Sequence, residues 1–353
     1  MDLTGLPLTT PADPNAVAVC LRAASAAGER VLVVGGATQL DRADPAPIDR
    51  LLSTRALNRV VAYEPAEMIA VVEAGCTIRD LRLLLAPHGQ EWPVDAPDEA
   101  TVGGVIATGA AVPRQLGVGP VRDSVLEVDC ITGDGRALHT GGRTVKNVSG
   151  YGLPRLLVGS LGTLAVIVQA AVKLRPAPRA RRTVTAAGGL LVAEGWLRSV
   201  PLATAILVHD NMAELRLEGW PDDVRAQTAR ARASAPDAAV SDQLAFPALT
   251  PWTRHPIVAE VSVAPSQLGR VLAAAGPDAG GLIGIGAGWI GFDDLQALRR
   301  VRQQVEALGG VLPVTHGPGG LGGRPPAPAI HRRIKAAFDP AGILAPGRFW
   351  AGM

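Results

Sequence analysis

Three glycine-rich stretches carry the chemistry that residue type and spacing can support. In Val31-Leu-Val-Val-Gly-Gly-Ala-Thr-Gln39 a short apolar run ends in paired glycines, whose bare backbone lets amide N–H groups come close to a phosphate. An ordinary turn closing a strand has the same composition, so this stretch alone does not separate the two. In Pro97-Asp-Glu-Ala-Thr-Val-Gly-Gly-Val-Ile-Ala-Thr-Gly109, small residues, paired glycines and hydroxyls make a surface against which a flat ligand and its phosphates can lie. A helix start packed on a sheet accounts for 102–107 equally well, but not for its neighbours. The third stretch is the longest: Gly142-Arg-Thr-Val-Lys-Asn-Val-Ser-Gly-Tyr-Gly-Leu-Pro-Arg-Leu-Leu-Val-Gly-Ser-Leu-Gly-Thr-Leu-Ala-Val-Ile-Val168 runs from loop through helix into strand.

Other reactive side chains are less organised. His88 and His139 fall in expected turns and His331 opens a charged helix, where solvated roles are the simpler reading; His209, His255 and His316 lie in the C-terminal half and could face a substrate, yet none has an acid at a useful spacing. Cys20, Cys76 and Cys130 are scattered, with no CxxC pair to suggest a disulfide framework, a zinc site or an iron–sulfur site. No metal is expected. Two stretches, Gly286-Ala-Gly-Trp-Ile-Gly291 and Gly317-Pro-Gly-Gly-Leu-Gly322, match G-x-G-x-x-G. A dinucleotide fingerprint needs a strand before it, a helix after it and an acid at the end of the following strand. After Gly286 the next expected strand, 311–314, ends in Thr315-His316 without an acid, and the second match runs into prolines.

The elements that must position these stretches follow from periodicity. Residues 15–27 read as an amphipathic helix and 30–34 as a strand feeding the first glycine turn. Strands are expected at 58–63 and 68–73, then a helix over 77–87 with Thr77 as N-cap. A strand at 124–132 turns at Gly133-Asp-Gly135 into 137–140, and 164–174 is a further strand behind a turn. The proline- and arginine-rich run 175–182 reads as a linker. Beyond it, strands at 205–208, 214–218, 257–263 and 281–285 alternate with helices at 222–233, 266–274 and 293–308. That order predicts a smaller α+β domain with helices on one face of an antiparallel sheet. A helix over 330–338 precedes the tail, and no internal repeat is visible.

The order and spacing of the third stretch are similar to the K-N-x-x-G-Y-x-L-x-x-L-x-x-G-S-x-G-T-L-x-V-I signature of the vanillyl-alcohol-oxidase, or PCMH-type, FAD-binding domain. With that anchor, Gly35, Gly36, Ala37, Thr38 and Gln39 resemble the family's loop for the FAD pyrophosphate. Thr101, Gly103, Gly104, Thr108 and Gly109 resemble its second phosphate- and flavin-contacting loop, and Gly162, Thr163 and Ile167 fall in the third motif. The tail Phe338-Asp-Pro-Ala-Gly-Ile-Leu-Ala-Pro-Gly-Arg-Phe349 is similar to the family's F-D-P-x-G-I-L-N-P-G-R/K-F ending. The resemblance implies an α+β protein: a two-subdomain FAD-binding domain over 1–176, a smaller α+β cap with an antiparallel sheet over 177–325, and a segment, 326–353, that returns to the first domain.

Within the family, the run from Lys146 to Pro154, the surroundings of Trp220 and Trp252, and His331-Arg-Arg-Ile-Lys335 look most like the E subunits of three-subunit glycolate oxidases. That branch implies oxidation of a small 2-hydroxy acid with hydride transfer to FAD, beside a D-type flavoprotein subunit and an iron–sulfur subunit. A self-sufficient FAD-linked dehydrogenase or oxidase, and a scaffold subunit that binds FAD weakly, remain open. Ala37-Thr38 stands where members with covalent flavin often carry histidine, which implies dissociable FAD. Ala345 replaces the usual asparagine of the tail, and the H-x-G-D-G-N-x-H metal motif of D-type subunits is missing, His316-Gly-Pro-Gly being a poor substitute. A 2-hydroxy acid also calls for a cationic clamp on its carboxylate. Lys146, Arg324 and Arg348 are the cations nearest the motifs and are the candidates, with His316 beside them; no catalytic base is assigned.

Composition sets the class. The 353 residues carry a net charge of only +2 with 19% charged side chains, which gives nucleic acid no electrostatic footprint. Mean hydropathy is +0.22, raised by small residues rather than by a spanning run of about 20 apolar residues. The N-terminal residues have acids where a signal peptide has Lys or Arg, so the expected location is cytoplasmic, with membrane association only through partners.

Overall fold

The computed structural model describes residues 3, 5–42, 47–110, 113–143, 152–243, 246–247, 250–322 and 327–348. Along the chain, β1 (Leu8–Thr9) leads to α1 (Pro14–Ala27), β2 (Val31–Val34), β3 (Arg50–Ser53), β4 (Val60–Glu64), β5 (Ile69–Glu73), α2 (Ile78–Leu85), β6 (Gln90–Glu91), α3 (Val102–Thr108) and α4 (Gln115–Val118). There follow β7 (Val125–Thr132), β8 (Ala137–Gly141), α5 (Leu153–Leu157), β9 (Ala165–Lys173), β10 (Arg175–Pro176), β11 (Ala180–Ala187), α6 (Gly189–Ser199), β12 (Ala203–His209), β13 (Met212–Gly219), α7 (Pro221–Ser234) and β14 (Ala239–Ser241). The remainder is β15 (Ile257–Ser262), α8 (Leu268–Ala275), β16 (Ala279–Leu282), β17 (Ala287–Phe292), α9 (Leu295–Ala307), β18 (Val314–His316) and α10 (Pro328–Phe338).

Two compact units emerge, one of residues 1–110, 120–176 and 324–353, the other of 111–119 and 177–323. The first holds a parallel three-stranded sheet, β1-β3-β2, and an antiparallel five-stranded sheet, β4-β5-β9-β7-β8. Local chemistry explains its helices. Asp13 caps α1 by accepting from the Ala16 amide at 2.8 Å, and Gly28 closes it in the left-handed region. The apolar stripe Val17, Ala18, Leu21 and Ala24 then buries against Val31 and Leu52 of the small sheet and Ile131, Val166 and Val168 of the large one. α1 thus packs against both sheets, next to the strand that runs into the first glycine turn.

The second unit is one antiparallel sheet of eight strands, β14-β11-β13-β12-β16-β17-β15-β18. It repeats in topology although the sequence shows no repeat: β11-α6-β12-β13-α7-β14 and β15-α8-β16-β17-α9-β18 are each a βαββαβ unit, joined edge to edge through β12 and β16. Helix residues Ala193, Trp196, Val224, Leu268, Val271, Leu298 and Val305 share one core with strand residues such as Val184, Ile206, Leu215, Ala259 and Ile290, and Leu207, Trp252, Val258 and Leu282 form a second cluster. Since Leu207 alternates with Ile206 and Val208 along β12, the second cluster covers the opposite face.

Three sequence expectations change. The run 175–182 is mostly strand: β10 pairs with β6, and β11 pairs with β13 and β14. Its arginines are used locally, Arg175 with Glu91 at 2.6 Å, Arg182 with Asp242 at 2.7 Å, and Arg179 over the Trp220 ring at 4.3 Å. Residues 113–119 pack in the second unit rather than staying with the first, because α4 lies on β12 and Arg114 pairs with Glu218 at 2.8 Å. The first G-x-G-x-x-G match, set aside from sequence for want of an acid, is in the structure no strand-to-helix turn, since Gly288 and Gly291 lie inside β17, paired with β15 and β16. His139 likewise sits in β8, cross-strand from Asp129, and not in a turn.

Candidate cofactor site

The first two glycine stretches meet at main-chain contact. A methyl group built on Gly36 would sit 2.1 Å from the Glu99 carbonyl oxygen and 2.9 Å from the Ala100 Cα, and one on Gly35 would sit 2.2 Å from Thr101 Oγ1. Ala37 follows at φ 61°, in the left-handed region, with Thr38 next and Gln39 behind it. Thr101 is fully buried and is the N-cap of α3, its hydroxyl accepting from the Gly104 amide at 3.2 Å. Gly103 rests on Ala74, while at Gly104 an added methyl would meet, outside the helix's own backbone and among the described residues, only Thr101 Oγ1, at 3.0 Å. Thr108 turns its hydroxyl back to the Gly104 carbonyl at 2.9 Å, and Gly109 ends α3 at φ 54°.

The third stretch joins the same cluster. Its Gly159 amide donates to the Ile106 carbonyl at 3.0 Å and its Leu161 amide to the Ala107 carbonyl at 2.7 Å, so the turn 159–163 is bonded to the last residues of α3. A methyl on Gly162 would touch, among the described residues, only Val33, at 3.8 Å. The Thr163 hydroxyl donates to the Ser160 carbonyl at 2.7 Å. Ser160 was not singled out from sequence, yet its hydroxyl is buried without a partner among the described residues and borders a cavity of about 120 Å³ that Thr163, Leu164, His331, Ile334 and Lys335 also line. Ile167 is buried in β9; its neighbours Val166 and Val168 face the α1 core, which leaves Ile167 on the other face, where α3 packs.

Of the cationic candidates, Lys146 and Arg324 lie outside the described residues. Arg348 is buried, with Nε donating to the Arg42 carbonyl at 3.2 Å and Nη2 to those of Gln39 at 2.9 Å and Leu40 at 3.3 Å. Those nitrogens serve the main chain of the first loop and not a substrate carboxylate. His316 is exposed on β18, an edge strand of the second unit.

Charged groups of the second unit were legible as residues but not as pairs. His209 Nε2 lies 2.6 Å from Glu214 Oε1, both side chains buried, because the β12–β13 hairpin folds position 214 back beside 209. Glu218 is bonded by Arg114 at 2.8 Å and Arg216 at 3.1 Å. Burial works to raise its pKa, but the two guanidiniums outweigh it and the carboxyl is held below its usual range. Among the described residues one group could ligate a metal, Glu127, Asp129 and His139. There Arg143 occupies Glu127, and Gln169 and His139 occupy Asp129.

Residues 7–141 match a protein-family model described as an FAD binding domain. They are an FAD binding domain. A glycolate oxidase subunit, GlcE, of Escherichia coli is 37% identical over 183 residues, covering 50% of this chain and 52% of that protein. A D-lactate dehydrogenase of Archaeoglobus fulgidus is 38% identical over 171 residues, 48% of this chain and 38% of that one. The match thus spans about half the length of the first relative and less of the second. A solved structure of alkyldihydroxyacetonephosphate synthase shares the fold, with a TM-score of 0.70 at 16% identity over 96% of this chain and 75% of that chain. FAD is the cofactor this domain takes, and the residues present fit it. Bare or small residues occupy 35–38, 103–104 and 107–109, a buried hydroxyl at Ser160 has no partner among the described residues, and the buried Arg348 and partly buried Lys335 bond the carbonyls of the turns.

Proposed function

We propose that this chain is an FAD-dependent oxidoreductase subunit of a glycolate oxidase-like complex, acting on a small 2-hydroxy acid and passing the electrons to a partner. The observation that carries the reading is the 37% identity to a relative named as a glycolate oxidase subunit, laid over a domain whose three turns fit FAD. Bound FAD would accept hydride from the carbon that bears the substrate hydroxyl. The chain's own part is to hold and orient. The turn at 35–39 presents its amides to the diphosphate, the residues 101–109 hold that turn by main-chain packing, and Ser160 offers a buried hydroxyl to the cofactor. Ala37-Thr38 offers no side chain for a covalent flavin link, so attachment is non-covalent.

Electrons received by the flavin go on to oxygen, a quinone or a partner, since three dispersed cysteines, with Cys76 and Cys130 buried, provide no iron–sulfur ligands in this chain. That favours association with a D-type flavoprotein and an iron–sulfur subunit. Among the described residues no helix is long and apolar enough to cross a membrane.

The visible spectrum of the purified chain, followed by acid precipitation, is the test. Flavin bands and free FAD in the supernatant, with anaerobic bleaching by glycolate or D-lactate once the D-type and iron–sulfur subunits are added, are the expected results. A colourless chain that takes up no added FAD would sink the reading. Bleaching of the isolated chain by the same acids would replace the subunit role with a self-sufficient dehydrogenase.

A further inference from the structure

We infer that residues 335–348 form a clasp that sets both cofactor turns, with Arg348 and Lys335 as its positioning residues; the inference rests on the FAD site described above. The segment first extends the sheet edge that feeds the first turn. The Val31 amide donates to the Ile343 carbonyl and the Ala345 amide to the Val31 carbonyl, each at 2.8 Å, bridging Val31 and Leu344 in parallel. From that anchor Arg348 reaches the far limb of the turn and gathers the carbonyls of Gln39, Leu40 and Arg42. A planar guanidinium can hold several carbonyls at fixed angles, which a lysine cannot.

Lys335 does the same for the other turn. Its ammonium donates to the Thr163 carbonyl at 2.7 Å and to the Leu344 carbonyl at 2.9 Å, and pairs with Asp339 at 2.6 Å. Asp339 in turn accepts from the Ile343 and Leu344 amides at 3.1 and 2.8 Å, so tail and turn share one hydrogen-bonded unit. Arg348 instead gathers main-chain carbonyls, with Asp41 near enough to act on it through charge, and its side chain is buried to 4% exposure. Burying a cation costs more than burying an apolar side chain of the same size. A site built for a diphosphate is where a buried positive charge beneath a neutral loop is useful, since it adds an attractive field to the amides. Burial has in fact lowered the Arg348 pKa to about 10 and that of Lys335 as well, which marks both as cations kept out of water.

The experiment is FAD titration of the purified apo chain, read by flavin fluorescence, for the wild type, Arg348→Met and Arg348→Lys, with apo melting temperatures measured in parallel. Arg348→Met is expected to raise the FAD dissociation constant by about tenfold or more, the effect of losing one charge-assisted hydrogen-bonding group. Arg348→Lys keeps the charge but not the fork and is expected to recover part of that loss; it also serves if the methionine variant does not fold. A fall in melting temperature with the dissociation constant within about twofold of wild type would make Arg348 a stability residue only and overturn the inference. A wild-type chain that binds no FAD would overturn the cofactor reading and the inference with it.

Discussion

Replacing Gly36 by alanine tests the packing on which the cofactor site depends. The new methyl group is directed at main chain, 2.1 Å from the Glu99 oxygen and 2.9 Å from the Ala100 Cα. Ordinary carbon contacts need about 3.5 Å, so the first turn has to move by more than about 1 Å from the second, and no side chain can rotate aside to spare it. Overpacking of this kind costs about 1–3 kcal/mol. At about 2–4 °C per kcal/mol for a unit of this size, the apo chain should melt about 2–12 °C lower. Since the movement opens the space between the two loops, FAD affinity should fall by about tenfold or more. Differential scanning fluorimetry of the apo chain and a flavin fluorescence titration measure the two effects. An alanine variant with unchanged melting and unchanged affinity would refute the packing. Gly104→Ala is the matched control: its methyl meets only Thr101 Oγ1, at 3.0 Å, and alanine favours the helix by roughly 1 kcal/mol, so stability should hold while affinity falls if Gly104 faces the cofactor.

Three further outcomes follow from the charged and sulfur groups. Burial opposes charge on His255, but hydrogen bonds to Asp293 at 2.8 Å and Asp278 outweigh it and the pKa is raised. The stabilisation is therefore complete below the unfolded value near 6.5 and is lost as pH rises through the higher folded value; melting scans across that window should show the loss, and His255→Gln should abolish it. Glu218→Ala removes the carboxylate that Arg114 and Arg216 share and should cost about 3–5 kcal/mol in urea unfolding, whereas a loss under about 1 kcal/mol would mean the pair is solvated. Burial pushes the Cys130 thiol up to about 12 and the Cys76 thiol up to about 11, while Cys20 is only half-buried. Maleimide at neutral pH should label Cys20 in the native chain and the other two only after unfolding, as read by mass spectrometry.

Determined by the sequence alone were the features that local physics controls. Asp80 sits where the Thr77 hydroxyl can cap its amide, at 3.0 Å, and that cap was legible from spacing. The same holds for the Gly133–Gly135 turn between β7 and β8, for the strand that runs into Gly35, and for the motif order that resembles an FAD domain. Prolines at 176 and 178 hid β11, because its strand character comes from pairing on both sides with β13 and β14 rather than from its own composition. The match at 286–291 was set aside from sequence for want of an acid, but only the pairing places Gly288 and Gly291 within β17. His209 acquired its carboxylate partner only when a hairpin brought position 214 beside it, and Arg348 found its carbonyls more than 300 residues away in sequence. Caps, turns and motifs depend on atoms a few residues apart, and so can be read directly from the chain. Pairing partners, buried charge and the tie between the tail and the first loop depend on contacts distant in sequence, and these only the tertiary structure decides.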